Sequence, residues 1–184
     1  MTELSLNVLD VANNSISAGA NFIEIKVQIQ RDMNKLIILI ADNGCGMTAE
    51  QLKSVIDPFY TTRTTRKIGL GVPFFKMAAI NTGGSFDIQS TLGKGTTVTA
   101  EFVLNHIDRM PLGDMNSTIH TLITLNTHID FLYTYVFDGK QFTLDTKEFR
   151  QILGNIPLNT PEVSNYIKEY LIENQKDTDG GCQI

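Results

Sequence analysis

Residues 22–30, FIEIKVQIQ, alternate apolar and polar side chains without a break, and residues 35–41, KLIILIA, are apolar after the first position. The first pattern predicts a half-buried strand and the second a strand covered more completely, near the centre of a sheet, with a polar turn at 32–34 between them. Strands of this kind need a layer of helices to cover them. The second strand runs into IADNGCGM, in which Asp42 and Asn43 precede two glycines bracketing Cys45. Asp-Asn-Gly is compatible with a tight turn, because Asn and Gly accept positive φ. It is equally compatible with a loop stripped of side chains so that a ligand can come close, with one carboxylate left to read it.

The surrounding pattern supplies the helices. Residues 3–17 place Leu4, Val8, Val11 and Ala12 at helical spacing, ended by Gly19. Thr48 and Gln51 form a capping-box pair for a short helix through Ile56. Residues 57–68, DPFYTTRTTRKI, have neither periodicity and read as a loop. GLGVPFFKMAAINTGG predicts a helix entered near Pro73 and closed by Gly83 and Gly84. SFDIQST and TTVTAEFVL are strands joined by LGKG. One helix followed by β-β-α-loop-α-β-β predicts an α/β (α+β) sandwich: a mixed, mainly antiparallel sheet with helices on one face.

The character changes after Asn105, so the expected division is a domain over 1–105, an α+β extension over 106–174 and a flexible tail over 175–184. Within the extension, 119–125 and 129–137 read as strands, 138–140 as a hairpin turn, and 146–153 and 161–174 as helices, the second led by Thr160-Pro161. The polar QKDTDGGCQI terminus reads as frayed.

Charge and cysteine content exclude several classes of function. Fifteen Lys and Arg against twenty Asp and Glu leave a net charge of −5, which argues against a general nucleic-acid grip. Cys45 and Cys182 make no disulfide framework, and no Cys/His cluster suggests a metal site. The amino terminus lacks the form of a signal peptide, and no apolar run approaches the length of a membrane span. The expectation is a soluble cytoplasmic protein with no membrane contact.

Polar residues stand at fixed offsets around three glycine clusters, Gly44/Gly46, Gly69/Gly71 and Gly93/Gly95. Asp10 and Asn14 share a face of the first helix. Gly69 and Gly71 open a helix, whose free amides and positive dipole end suit a phosphate. Thr96 follows a glycine turn directly into a strand.

In this order the motifs resemble the GHKL superfamily of gyrase, heat-shock chaperones, histidine kinases and mismatch-repair MutL, which share the Bergerat ATP-binding fold. DVANNSISAGANFIEI is similar to the N box, with its NS…AGA ending closest to MutL; DNGCGM is similar to the first glycine box, DPFYTTR to the F box, GLGV to the second glycine box and GKGTTVT to the last. The later boxes are closest to histidine-kinase catalytic domains. The resemblance implies Mg-ATP binding. Asp42 would accept a hydrogen bond from the adenine amino group, since a carboxylate is acceptor-only. Gly44, Gly46 and Met47 would line the base, and Asn14 would give an oxygen to Mg²⁺. Gly69, Leu70 and Gly71 would bring amides to the phosphates, and Thr96 would lie near the base. Lys67, with Arg66 and Arg63, would supply cations over the phosphates.

Two positions depart from the family pattern. Hydrolytic members carry a glutamate where this chain has Asp10, a shorter carboxylate that is either a slow catalytic base or only a polar helix residue. Lys67 replaces a usual glycine. HIDRMPL, residues 106–112, echoes the histidine-kinase phospho-acceptor box but follows the catalytic motifs instead of preceding them, so His106 is not expected to be phosphorylated. The resemblance leaves three activities open. The first is a histidine-kinase-like or anti-sigma-kinase-like enzyme acting on a protein partner in trans. The second is a MutL-like ATP-driven switch, with homodimerisation as its readout. The third is a weakly hydrolytic nucleotide sensor.

Overall fold

The computed structural model describes residues 2–56, 71–182 and 184. A six-stranded mixed sheet runs in the order β3-β4-β2-β1-β5-β6, from β1 (Phe22–Gln30), β2 (Lys35–Asp42), β3 (Ser85–Thr91), β4 (Gly95–Val103), β5 (Asp130–Phe137) and β6 (Lys140–Asp145). Neighbours are antiparallel except β1 and β5, which run parallel with Ile23 opposite Phe131. The alternation read in β1 is realised: Ile23, Ile25, Val27 and Ile29 are buried, and the residues between them are partly exposed. Strand β2 alternates in the same way despite its apolar sequence, with Leu36, Ile38 and Ile40 buried and Ile37 and Leu39 only half-buried. One face of the sheet is therefore the core face, and β2 is central by its position between β1 and β4 rather than by burial on both sides.

Helices α1 (Leu4–Ser17), α3 (Gly71–Asn81), α4 (Met115–Leu125) and α6 (Pro161–Asp179) pack against this sheet and one another. Leu4, Val8, Val11, Ala12 and Ser15 make the buried stripe of α1. A short α2 (Ala49–Ile56) begins at the expected capping box: Thr48 N–H donates to Gln51 Oε1 at 2.9 Å, and Gln51 N–H to Thr48 Oγ1 at 3.2 Å. Helix α3 starts at Gly71, placing Pro73 in its first turn, where no intrahelical N–H is required.

Two readings of the C-terminal region are corrected. Residues 119–125 are not a strand but most of α4, whose N-cap Asp114 accepts from the Ser117 N–H. Met115, Ile119, Leu122 and Ile123 are buried at helical spacing, so packing overrides the β-branched composition of this stretch. Helix α6 does not stop at 174 but continues to Asp179, closed by Gly180 in the left-handed conformation. Asp179 is buried and accepts from the Tyr135 hydroxyl at 3.0 Å, which holds the last turn in place where fraying was expected. The hairpin at 138–140 and helix α5 (Thr146–Leu153) lie where the sequence puts them.

The extension is continuous with the rest of the sheet. Strand β5 joins the free edge of β1, and Phe131, Tyr133 and Tyr135 enter the core. The first free amides of α1 donate to this region, Leu4 N–H to Pro111 O and Ser5 N–H to Leu112 O, both at 2.9 Å. No helix among the described residues is long and apolar enough to cross a membrane.

Candidate functional site

Asp42 ends β2 and lies directly opposite Thr96 at the start of β4. Its carboxylate is held from three sides. Oδ2 accepts from the Ser15 hydroxyl at 2.6 Å, and Oδ1 accepts from the Gly44 N–H at 2.8 Å and the Thr96 N–H at 3.3 Å. A carboxylate offers about four lone-pair sites, so Oδ2 keeps acceptor capacity on a half-buried group already fixed in orientation. Ser90, opposite Thr96 on β3, extends the network. Its hydroxyl accepts from the Met47 N–H at 2.9 Å, lies 2.9 Å from Thr96 Oγ1 and is 3.0 Å from Gly95 O.

The Asp-Asn-Gly stretch is not a hairpin turn but a loop tied to its neighbours. Asn43 Oδ1 accepts from the Asn21 and Phe22 N–H groups, both at 3.0 Å, so this side chain joins the end of β2 to the start of β1. Beyond it, Cys45 N–H donates to Ala18 O at 2.9 Å and Cys45 O accepts from Gly93 N–H at 2.7 Å. The loop is thus stitched between the end of α1 and the β3–β4 turn. Close backbone approach explains two of its glycines. At Gly46 (φ 65°) a Cβ would lie 2.0 Å from Thr91 O, and at Gly95 (φ 116°) 1.9 Å from Asp42 O. Gly44 is tight against Ala18 and the Asp42 carboxylate itself. These glycines let three loops close around Asp42, and Met47, partly buried, packs against the core below.

Asp10 and Asn14 lie on the exposed face of α1, one turn apart, with Ser15 behind them on the buried side. Gly71 begins α3 against this face: a Cβ there would meet the Asp10 Cβ at 2.8 Å. The structure therefore brings Asp10 to the amino-terminal end of α3, where free amides and the helix dipole favour an anion. Asn14, Asp42, Gly44, Gly46, Met47, Gly71 and Thr96 are placed on α1, the β2–α2 loop, the start of α3 and the start of β4. Lys67, Gly69 and Leu70, with Arg63 and Arg66, lie outside the described residues. No cluster of metal-ligating side chains occurs among the described residues.

His106 sits in a turn after β4, not on a long helix, and its Nδ1 accepts the Asp108 N–H at 3.1 Å. Arg109, in the same segment, is spent on structure: Nε donates to Leu104 O at 2.6 Å and Nη1 to Met110 O at 2.9 Å. Its partial burial lowers the guanidinium pKa from the usual value.

Ser15 and Ser90 join the hydrogen-bond network of Asp42 and Thr96, although the sequence did not mark either as a site candidate. Ser90 has no local signal, and Ser15, although it stands in the NS…AGA stretch, gains its partner on another element. The available cue was indirect: Ser15 follows Asn14 on the inward side of the α1 stripe.

Residues 1–106 match the family model described as Histidine kinase-, DNA gyrase B-, and HSP90-like ATPase. A sensor protein of Shewanella frigidimarina (strain NCIMB 400) is 36% identical over 107 residues, covering 58% of this chain and 16% of that protein. Sensor protein SrrB of Staphylococcus aureus (strain NCTC 8325 / PS 47) is 35% identical over 102 residues, covering 53% of this chain and 17% of that protein. The chain thus spans only a small part of the curated relatives it matches. Among solved structures, the Aquifex aeolicus MutL ATPase domain complexed with ADP superposes with a TM-score of 0.55 at 11% identity, over 92% of this chain and 88% of that one. The N-terminal domain of a DNA repair protein gives a TM-score of 0.55 at 19% identity, over 79% of this chain and 53% of that one. At these identities the likeness is one of fold.

Proposed function

Because the chain belongs to the Histidine kinase-, DNA gyrase B-, and HSP90-like ATPase family, we propose that it binds Mg-ATP around Asp42 and passes the γ-phosphoryl group to a separate protein. The observation that carries the nucleotide part is the Asp42 carboxylate, fixed by Ser15, Gly44 and Thr96 with acceptor capacity left on Oδ2. An acceptor-only group selects a ligand with an exocyclic amino donor, as adenine has, and disfavours one that presents a carbonyl there.

From that anchor the exposed face of α1 leads past Asn14 to Asp10 and the start of α3, an order that suits base, metal and phosphates in turn. The residues present fit magnesium in a limited way. Asn14 offers one amide oxygen, so the ion would keep its water and phosphate ligands, as Mg²⁺ commonly does. When bound, the metal neutralises phosphate charge. The chain's own contributions are to hold the adenine at Asp42, to point α3 amides at the phosphates, and to keep the Asp10 carboxylate beside them.

The kinase reading is supported by the sensor proteins that align with the ATP-binding half. In this reading the partner contributes the nucleophile, the bond from the γ-phosphorus to its bridging oxygen breaks as the new phosphorus bond forms, and ADP leaves. One observation favours a second reading, a slow ATPase that drives a conformational switch: Asp10 packs against the first residue of α3, where a base for water would be needed.

Incubation of the purified chain with Mg²⁺ and γ-labelled ATP, with and without extract of the source cell, tests the proposal. The expected result is label on a second protein, absent with Asp42→Asn. Label recovered only as free phosphate would overturn the kinase reading in favour of the switch. An Asp42→Asn chain that still binds ATP fully would overturn the site.

A further inference from the structure

A cleft of about 620 Å³ opens between α1 and α3, one helical turn beyond Asp10. Its walls are Phe74, Met77 and Ala78 of α3 together with Met110, with Asn81 and Asp108 at the mouth. Asn7 of α1 also lines it and is fully buried, yet neither its Oδ1 nor its Nδ2 has a hydrogen-bond partner. Buried polar groups are nearly always paired, and an amide with both ends unpaired needs an explanation. The neighbouring residues do not supply one: Asn81 and Asp108 are exposed, and neither is hydrogen-bonded to Asn7. Phe74 and Met77 remain 41% and 50% exposed, large apolar side chains beside an unsatisfied amide. Apolar side chains with a few polar groups among them, at a volume of several hundred Å³, are the usual make-up of a small-ligand pocket.

We propose that this cleft binds a ligand carrying a carboxamide next to an apolar group, with Asn7 pairing to it as donor and acceptor at once. An amide is the complement of an amide: its carbonyl accepts from Nδ2 and its N–H donates to Oδ1, which satisfies both orphaned atoms of Asn7. A carboxylate or ketone satisfies only Nδ2, and a hydrocarbon satisfies neither. The apolar group of the ligand covers Phe74, Met77 and Met110. The amide comes either from the main chain of a protein segment or from a free small molecule. This site stands apart from the adenine end at Asp42, and the proposal holds whether or not the nucleotide reading does.

The test is a titration of the full-length ¹⁵N-labelled chain, following the Asn7 side-chain NH₂ signal, assigned by its loss in Asn7→Leu. The probes are benzamide and its near-isostere acetophenone, which keeps the carbonyl and lacks the N–H donors. The expected result is a saturable shift with benzamide and about fivefold or more weaker binding of acetophenone, the worth of one hydrogen bond. Asn7→Leu should abolish that preference, and Met77→Glu, on the exposed wall, should weaken both probes without disturbing the core. Equal affinity for the two probes, a preference that survives Asn7→Leu, or no saturable shift overturns the proposal. Tighter competition by N-acetyl-leucine-N-methylamide than by benzamide supports it with a protein segment as the source, and the reverse order supports it with a small molecule.

Discussion

The Ser15 hydroxyl donates to Asp42 Oδ2 at 2.6 Å, across 27 positions of sequence, and joins the buried side of α1 to the end of β2. The neighbouring residue on α1, Asn14, faces outward. One turn of helix therefore both orients the carboxylate proposed to read the base and presents the amide proposed to meet the metal. Removing the hydroxyl with Ser15→Ala should cost about 1–2 kcal/mol of stability, the worth of a hydrogen bond to a charged group that is only partly buried. Nucleotide affinity should fall by a smaller factor than with Asp42→Asn, because Gly44 and Thr96 still hold Oδ1. Urea denaturation and calorimetric titration measure the two effects separately, and unchanged affinity would show that Ser15 has no part in the site.

Backbone approach makes a sharper prediction at the β3–β4 turn. Gly95 has a positive φ and no room for a Cβ against Asp42 O, whereas Gly93 has φ 77° and nothing within 4 Å. Gly93→Ala should cost only the conformational penalty, about 1–2 kcal/mol. Gly95→Ala should cost about 3 kcal/mol or more, because overpacking adds to that penalty. Equal losses in urea denaturation would mean that the loops do not close on Asp42 as described.

The placement of Asp10 beside Gly71 bears on turnover. Asp10→Glu lengthens the carboxylate by one methylene toward the start of α3, where the phosphates are proposed to lie. If reach alone limits the base, phosphate release should rise by about ten- to a hundredfold, the order of effect of a misplacement near 1 Å. A colorimetric phosphate assay reads this directly. No change would count against Asp10 as a base and leave it a polar helix residue.

In the extension, Tyr133 and Tyr135 differ by one hydrogen bond. The buried Tyr133 hydroxyl has no partner, while Tyr135 donates to Asp179. Burial, with the Asp179 charge nearby, pushes both hydroxyls well above the ordinary tyrosine range. A raised folded-state pKa means that this stability is fully present below the unfolded value near pH 10 and is lost as pH rises past it. Thermal stability should thus fall above about pH 10, less steeply in Tyr133→Phe. At neutral pH, Tyr133→Phe should be neutral or stabilising by about 1 kcal/mol, and Tyr135→Phe destabilising by about 1–2 kcal/mol. The same response from both variants would contradict the pairing.

Much of this fold is legible in the chain because its signals are local. The alternation of 22–30, the Thr48/Gln51 box and the glycine closures state their structure within a few residues. Residues 119–125 misled because Thr and Ile favour strands; Met115, Ile119, Leu122 and Ile123 also stand at helical spacing, but the partners of that stripe lie on distant elements. The last turn of α6 was hidden for the same reason: QKDTD looks frayed until Asp179 finds Tyr135 from another element. The site divides likewise. Asp42, Asn14 and the glycines carry an ordered pattern, whereas Ser15 and Ser90 are ordinary serines until the sheet and α1 are assembled.

The central claim is that the Asp42 carboxylate reads an adenine amino group. Calorimetric titration of the chain with Mg-ATP and with Mg-GTP, repeated on Asp42→Asn, tests it most directly. The account predicts that ATP binds the unaltered chain, that GTP binds at least about tenfold more weakly, the worth of replacing a donor by an acceptor opposite a carboxylate, and that Asp42→Asn loses most of the ATP affinity. Equal binding of the two nucleotides, or undiminished ATP binding by Asp42→Asn, would contradict it.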